Sequence, residues 1–172
     1  MKRLLTSSLL LGTILTATAC AAATDSSAVP PAEAAASPAA IDPAMPVAIV
    51  HKTASCGCCG IWADHLKAAG FQVDVRDTDD MHPVKARLGV PLGKASCHTA
   101  EIGGYVVEGH IPAADIKRLL AERPAARGLV LPGMPAGSPG MEMPDGYVQS
   151  YTVELVRADG STEPFAQHGQ GG

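Results

Sequence analysis

The sequence predicts a mixed α/β domain with the element order β-α-β-α-β-β-α, extended by a loop rich in Met, Gly and Pro and by an added β-hairpin. Three observations carry this expectation. The β-branched run VAIVHK (47–52) is followed at once by a segment with helical spacing of its apolar residues. Two β-type runs flank Gly103-Gly104 in CHTAEIGGYVVEGH (97–110), which suits a tight two-residue turn. Pro112 then opens PAADIKRLLAERP, a segment with one apolar stripe.

Residues 1–20 are expected to lie outside the fold. Lys2 and Arg3 precede the apolar run LLTSSLLLGTIL, and small residues precede Cys20, as in a secretory signal. Cys20 reads as the acylated residue of a lipoprotein-type signal, although Ala17 stands where leucine is usual. Ordinary cleavage after Ala19 or Ala21 is the alternative. Residues 21–45, mostly Ala, Pro and Ser without periodicity, read as a flexible tether. The folded domain is expected over 46–166 and a disordered tail over 167–172.

Within the domain, VAIVHK is the first strand. In GIWADHLKAAG, Trp62, Leu66 and Ala69 share one helix face, and Gly70 suits the stop. FQVDV (71–75) alternates apolar and polar residues and reads as the second strand. DTDD (77–80) reads as a turn capping a short helix at HPVKARLG rather than as a metal site. The Gly-Gly hairpin follows, and then a helix with Ile116, Leu119 and Leu120 inward. This order, over 47–123, is the arrangement of the thioredoxin fold. GLVLPGMPAGSPGMEMPDG (128–146) has no period and reads as a loop, and YTVELVRADGSTEPFA (151–166) as a hairpin about Asp159-Gly160.

A formal net charge of −4 provides no electrostatic footprint for nucleic acid. With aromatics at 3%, the core must come from Val, Ile, Leu and Ala, with Trp62 and Phe71 as its few large pieces.

Of five cysteines, Cys20 belongs to the leader, leaving Cys56, Cys58, Cys59 and Cys97. Cys56-x-x-Cys59 stands at the junction of the first strand and first helix, where the helix N-terminus favours thiolate. A thiolate serves disulfide exchange and soft-metal binding alike. Cys58 separates the two uses: a third thiol competes in dithiol exchange but assists a soft metal. Cys97, with His98 beside it, begins the hairpin strand that faces the C-x-x-C in thioredoxin-like folds, where proline is usual. Two structural disulfides are the plain alternative, but three thiols in one turn staple little chain. Structural zinc normally uses two separated pairs. C-x-C-C with one distant cysteine suits thiolates that bridge several Cu(I) ions. Met134 and Met141, in a loop without helical spacing, are the thioether candidates, ahead of Met143. His98 and His110 are candidate ligands or their neighbours, ahead of His51; His65 and His82 read as surface residues, and His168 has no context.

Four segments in order, SCGCCGIWADHL, VKARLGVP, SCHTAEIGGYVVEGHIPAADIKRLL and GLVLPGMPAGSPGME, resemble the periplasmic copper-resistance family of the CopG type. The resemblance spans about residues 47–145. It implies a thioredoxin-like fold in which Cys56, Cys58, Cys59 and Cys97 bind copper, with interconversion of Cu(I) and Cu(II) as a further activity. The expectation is a periplasmic protein for copper resistance or homeostasis, holding Cu(I) in a polynuclear site. Its partners would be copper ions and copper-export or other periplasmic copper proteins, with a membrane met only through Cys20. Catalysis beyond a copper oxidoreductase activity is not expected. The alternative is a thiol-disulfide oxidoreductase working through Cys56-x-x-Cys59.

Overall fold

β1, Ala48–Lys52, sends alternate side chains to two faces. Ala48 and Val50 enter the core, while His51 lies on the other face and meets Glu101 of β3, Thr99–Ile102. That alternation sets two layers of helix against one sheet. The computed structural model describes residues 42–169; the expected signal, Cys20, most of the tether and residues 170–172 lie outside them.

α1, Gly57–Ala68, buries Trp62 and Leu66 as its spacing predicts. It ends in a Schellman motif, with Gly70 N–H on Lys67 O and Phe71 N–H on Leu66 O at 2.9 and 3.1 Å. Because Phe71 completes that motif and turns into the core, β2 starts two residues later than expected, at Val73–Asp77. α2, His82–Leu88, follows the turn at Asp80, whose carboxylate accepts from His82 N–H at 2.8 Å. β3 and β4, Tyr105–Glu108, meet at Gly103-Gly104, both with positive φ (59° and 88°). α3, Ala113–Glu122, buries Ile116 and Leu119.

A seven-stranded sheet results, ordered β2-β1-β3-β4-β5-β6-β7. The β2-β1-β3-β4 part, with β1 parallel to β2 and the next two pairs antiparallel, is the expected thioredoxin-like unit. Its extension differs from the sequence reading. Residues 128–130, read as the start of a loop, instead belong to β5, Ala126–Val130, parallel to β4 and antiparallel to β6, Tyr151–Arg157. Gly128 hid this strand, because glycine is a poor strand former. Here it is required: a Cβ would lie 1.8 Å from the Val106 carbonyl oxygen.

β7, Thr162–His168, runs into the segment expected to be a disordered tail. Gln167 and His168 pair with Thr152 and Tyr151, and His168 Nε2 meets Asp115 at 2.6 Å while its ring stacks on Tyr151. Residues 42–45, assigned to the tether, hold a turn: Asp42 N–H donates to Gly70 O at 3.0 Å, and Met45 packs against the core. Among the described residues, no helix is long and apolar enough to cross a membrane.

Candidate metal centre

The cysteines sit where β1 hands the chain to α1. Cys56 is the N-cap; its N–H donates to Thr53 O at 3.0 Å, and its side chain caps nothing. Gly57, Cys58 and Cys59 form the first helical turn, which holds no acidic residue, so the positive end of the helix is left to the sulfurs. Cys56 and Cys59 are joined by a disulfide, while Cys58 and Cys97 are free. In this oxidised form two of the four sulfurs are bonded to each other and become donors on reduction. Cys58 Sγ lies 3.6 Å from Cys56 Sγ, and Cys97 Sγ 3.4 Å from Cys59 Sγ. All four sulfurs lie within 4.8 Å of one another.

Cys97 is held by a buried polar network that sequence reasoning missed. Glu108, fully buried, accepts from Ser96 N–H at 2.5 Å, from Thr99 Oγ1 at 2.6 Å and from Lys85 Nζ of α2 at 2.5 Å. Ser96 Oγ donates to Gly133 O at 2.5 Å. The available signal was an acid ending an otherwise apolar strand, in YVVEGH.

His98 and His110 complete the corner. Cys97, His98 and His110 place their donor atoms within 4.8 Å of one another. His110 Nδ1–H donates to Pro139 O at 2.8 Å, so Nε2 carries the lone pair and faces Cys97 Sγ at 3.1 Å. His98 Nδ1 is 3.5 Å from Cys97 Sγ. Its Nε2 is buried without a hydrogen-bond partner among the described residues. The His98 ring packs on Trp62 at 4.3 Å and meets His110 edge-on at 4.8 Å.

Burial, followed by the neighbouring His110 and Lys85, pulls His98 down to about 3. Burial also lowers His110, against the Pro139 hydrogen bond and Glu142. Both rings are therefore neutral and present lone pairs. Burial, then the nearby Cys58, pushes Cys97 up to about 11. The thiolate preference expected of the helix terminus does not extend to this strand-side sulfur.

The Gly/Pro/Met loop reaches the corner through backbone. Gly140 sits so close that a Cβ would lie 2.8 Å from Cys58 O and 3.2 Å from His110 Nδ1. Glu142 accepts from Gly140 N–H at 2.8 Å. Met134 and Met143 are exposed and Met141 is half-buried. The remaining histidines are elsewhere. His51 pairs with Glu101 at 2.9 Å on the opposite sheet face, and His82 is exposed. His65 is not a plain surface residue: half-buried, its Nε2 accepts from Ala113 N–H at 3.0 Å and caps α3. His168 likewise has a context, in Asp115 and Tyr151.

Sulfur and imidazole donors of this kind fit a soft or borderline metal ion, and the unpartnered His98 Nε2 is a donor atom that the protein itself does not use. Residues 94–141 match the family described as "Protein of unknown function, DUF411". No curated protein matches the chain. Copper resistance protein CopG, in a structure called Form 1, is 46% identical with a TM-score of 0.69, and the match covers 73% of this chain and 99% of that one. Form 2 is 46% identical with a TM-score of 0.68, covering 72% and 98%. An identity of 46% over nearly the whole length of those chains, on the same mixed α/β fold, shows that this chain belongs to the CopG family of copper resistance proteins.

Proposed function

We propose that this chain binds Cu(I) in copper resistance or homeostasis, through Cys56, Cys58, Cys59, Cys97, His98 and His110. The observation that carries the reading is the convergence of four sulfurs within 4.8 Å, with Cys97 shared by two imidazoles. Thiolates and neutral imidazoles suit Cu(I), and sulfurs this close can bridge ions, so the bound form is polynuclear. The two 46%-identical structures, each named a copper resistance protein, support copper as the cargo. Cys56 and Cys59 join the donor set once their disulfide has taken up two electrons and two protons. We assign Met134 and Met141, in the loop whose Gly140 meets Cys58 and His110, as thioether donors for ions entering or leaving. The mixed sulfur and nitrogen set also supports interconversion of Cu(I) and Cu(II). The chain acts in the periplasm, tethered through acylated Cys20, and exchanges copper with export or other periplasmic copper proteins.

A second reading, thiol-disulfide oxidoreductase, is favoured by the Cys56–Cys59 disulfide at the start of α1. Cys58→Ser separates the two, because it leaves the C-x-x-C pair intact. On the copper reading, the variant loses copper loading and retains any reductase activity on a disulfide substrate. Unchanged loading with lost reductase activity decides for the oxidoreductase.

A further inference from the structure

We infer that two copies of this chain pair antiparallel through their β2 edges, about a two-fold axis at Val75. The pairing goes beyond the copper reading and does not rest on it. Among the described residues β2 has a neighbour, β1, on one side only, and Asp74, Val75, Arg76 and Asp77 are exposed. Such an edge offers free N–H and C=O groups to another strand unless proline, a bulge or charge of one sign blunts it. Val73–Asp77 has neither proline nor bulge, and its charges are of both signs. The ladder with β1 tells which groups are free. Ala48 N–H donates to Gln72 O, and Thr78 N–H donates to Lys52 O, both at 2.9 Å. Backbone direction alternates along a strand, so the N–H and C=O of Asp74 and Arg76 also face β1, while those of Val73, Val75 and Asp77 face outward.

Opposed residues of an antiparallel pair exchange both hydrogen bonds where their backbone groups face each other. With the axis at Val75, that residue opposes its own copy, and Val73 of each chain opposes Asp77 of the other. Every outward group of the strand is then bonded. Asp74 and Arg76 oppose one another at the intervening positions, where cross-strand side chains come closest. Within one chain these two side chains share a sheet face and pair at 2.9 Å, so each can serve the opposite charge of the second copy. Val75, 38% exposed, is covered by its counterpart. An axis at Asp74 or Arg76 would oppose like charges, and one at Val73 or Asp77 would leave part of the strand unpaired. Charge and hydrogen-bond direction therefore select the same register. A five-residue strand buries little surface, so the dimer is weak and concentration-dependent. The cysteines follow β1, which runs parallel to β2, so the two metal centres stand at opposite ends of the joined sheet.

The test uses the mature protein with its metal and redox state held constant. Sedimentation equilibrium over about 10 μM to 1 mM covers the range in which weak dimers form. The weight-average mass is expected to rise toward that of two chains, and amide exchange in a peptide spanning Val73–Asp77 to slow over the same range. Asp74→Arg and Arg76→Asp each oppose like charges, and each should weaken the association on the order of tenfold. An equimolar mixture of the two variants restores opposite charges at both positions and should associate as the wild type does. The mass of one chain at every concentration, association that neither substitution weakens, or a mixture no tighter than its components would overturn the proposal. Copper loading involves neither residue and is expected to be unchanged in both variants, so failure of the pairing leaves the copper reading standing.

Discussion

Cys97 touches both halves of the site, the sulfurs at the head of α1 and the two imidazoles, so the residues that place it matter as much as the donors. Glu108 is first among them. It is fully buried, and Lys85, Thr99 and Ser96 supply its donors. Glu108→Gln leaves the Lys85 charge against a neutral amide. A loss of stability on the order of 3 kcal/mol is expected in urea denaturation, as for other broken buried pairs. Copper loading should fall in the same variant, because Ser96 and Cys97 lose their anchor, and adding Lys85→Met should recover much of the stability but not the loading. Gly140 is the second positioning residue. Its φ of 84° and the 2.8 Å between a built Cβ and Cys58 O leave no room for a side chain. Gly140→Ala should cost about 1–3 kcal/mol, and thermal melts of the metal-free protein measure it. The loop it lifts carries the Pro139 carbonyl that orients His110, so copper affinity should drop in parallel.

At the scale of elements, α3 begins with Pro112 as N-cap, which has no side-chain cap of its own, and borrows one from α1. His65 Nε2 accepts the Ala113 N–H, so the cap exists only while that nitrogen is unprotonated. Burial, opposed by Glu142, holds His65 below its ordinary value in the folded chain. The unfolded chain therefore binds the proton more tightly. Stability from this group is complete above the unfolded value of about 6.5 and is lost as pH falls below it. His65→Gln retains an acceptor and removes the titration. The melting temperature should therefore fall less between neutral and mildly acid pH in the variant than in the wild type. The same scale shows what was legible in the sequence. The β3–β4 hairpin could be read because its turn is local and spelled by two glycines. β5 could not, because it is held by β4 and β6 on either side and contains Gly128, which a strand pattern rejects. The cysteine corner was legible through spacing on known element junctions. Its support by the Pro139 carbonyl was not, since a backbone contact across 29 residues leaves no mark on side-chain pattern.

For the whole molecule, the thioredoxin-like unit carries the cysteines, and β7 of the added β5-β6-β7 edge is tied to α3. Arg118 of α3 lies 3.6 Å over the Phe165 ring of β7 and donates to its carbonyl at 2.7 Å. The folded domain thus ends as a structural partner of α3. Upstream of the described residues, acylation of Cys20 is the expectation that decides where the copper site works. Mass spectrometry of the mature protein should find an N-terminal Cys20 bearing lipid; an unmodified or later terminus would rule out the anchor and leave the proposed site chemistry unchanged. The central claim is that sulfurs gathered within 4.8 Å bridge more than one Cu(I) ion. The most direct measurement is an anaerobic Cu(I) titration of the fully reduced protein against a competing chelator, followed by elemental analysis. The account predicts more than one copper per chain, lost when Cys58 or Cys97 is replaced by serine; at most one copper per chain, with zinc held more tightly, would contradict it.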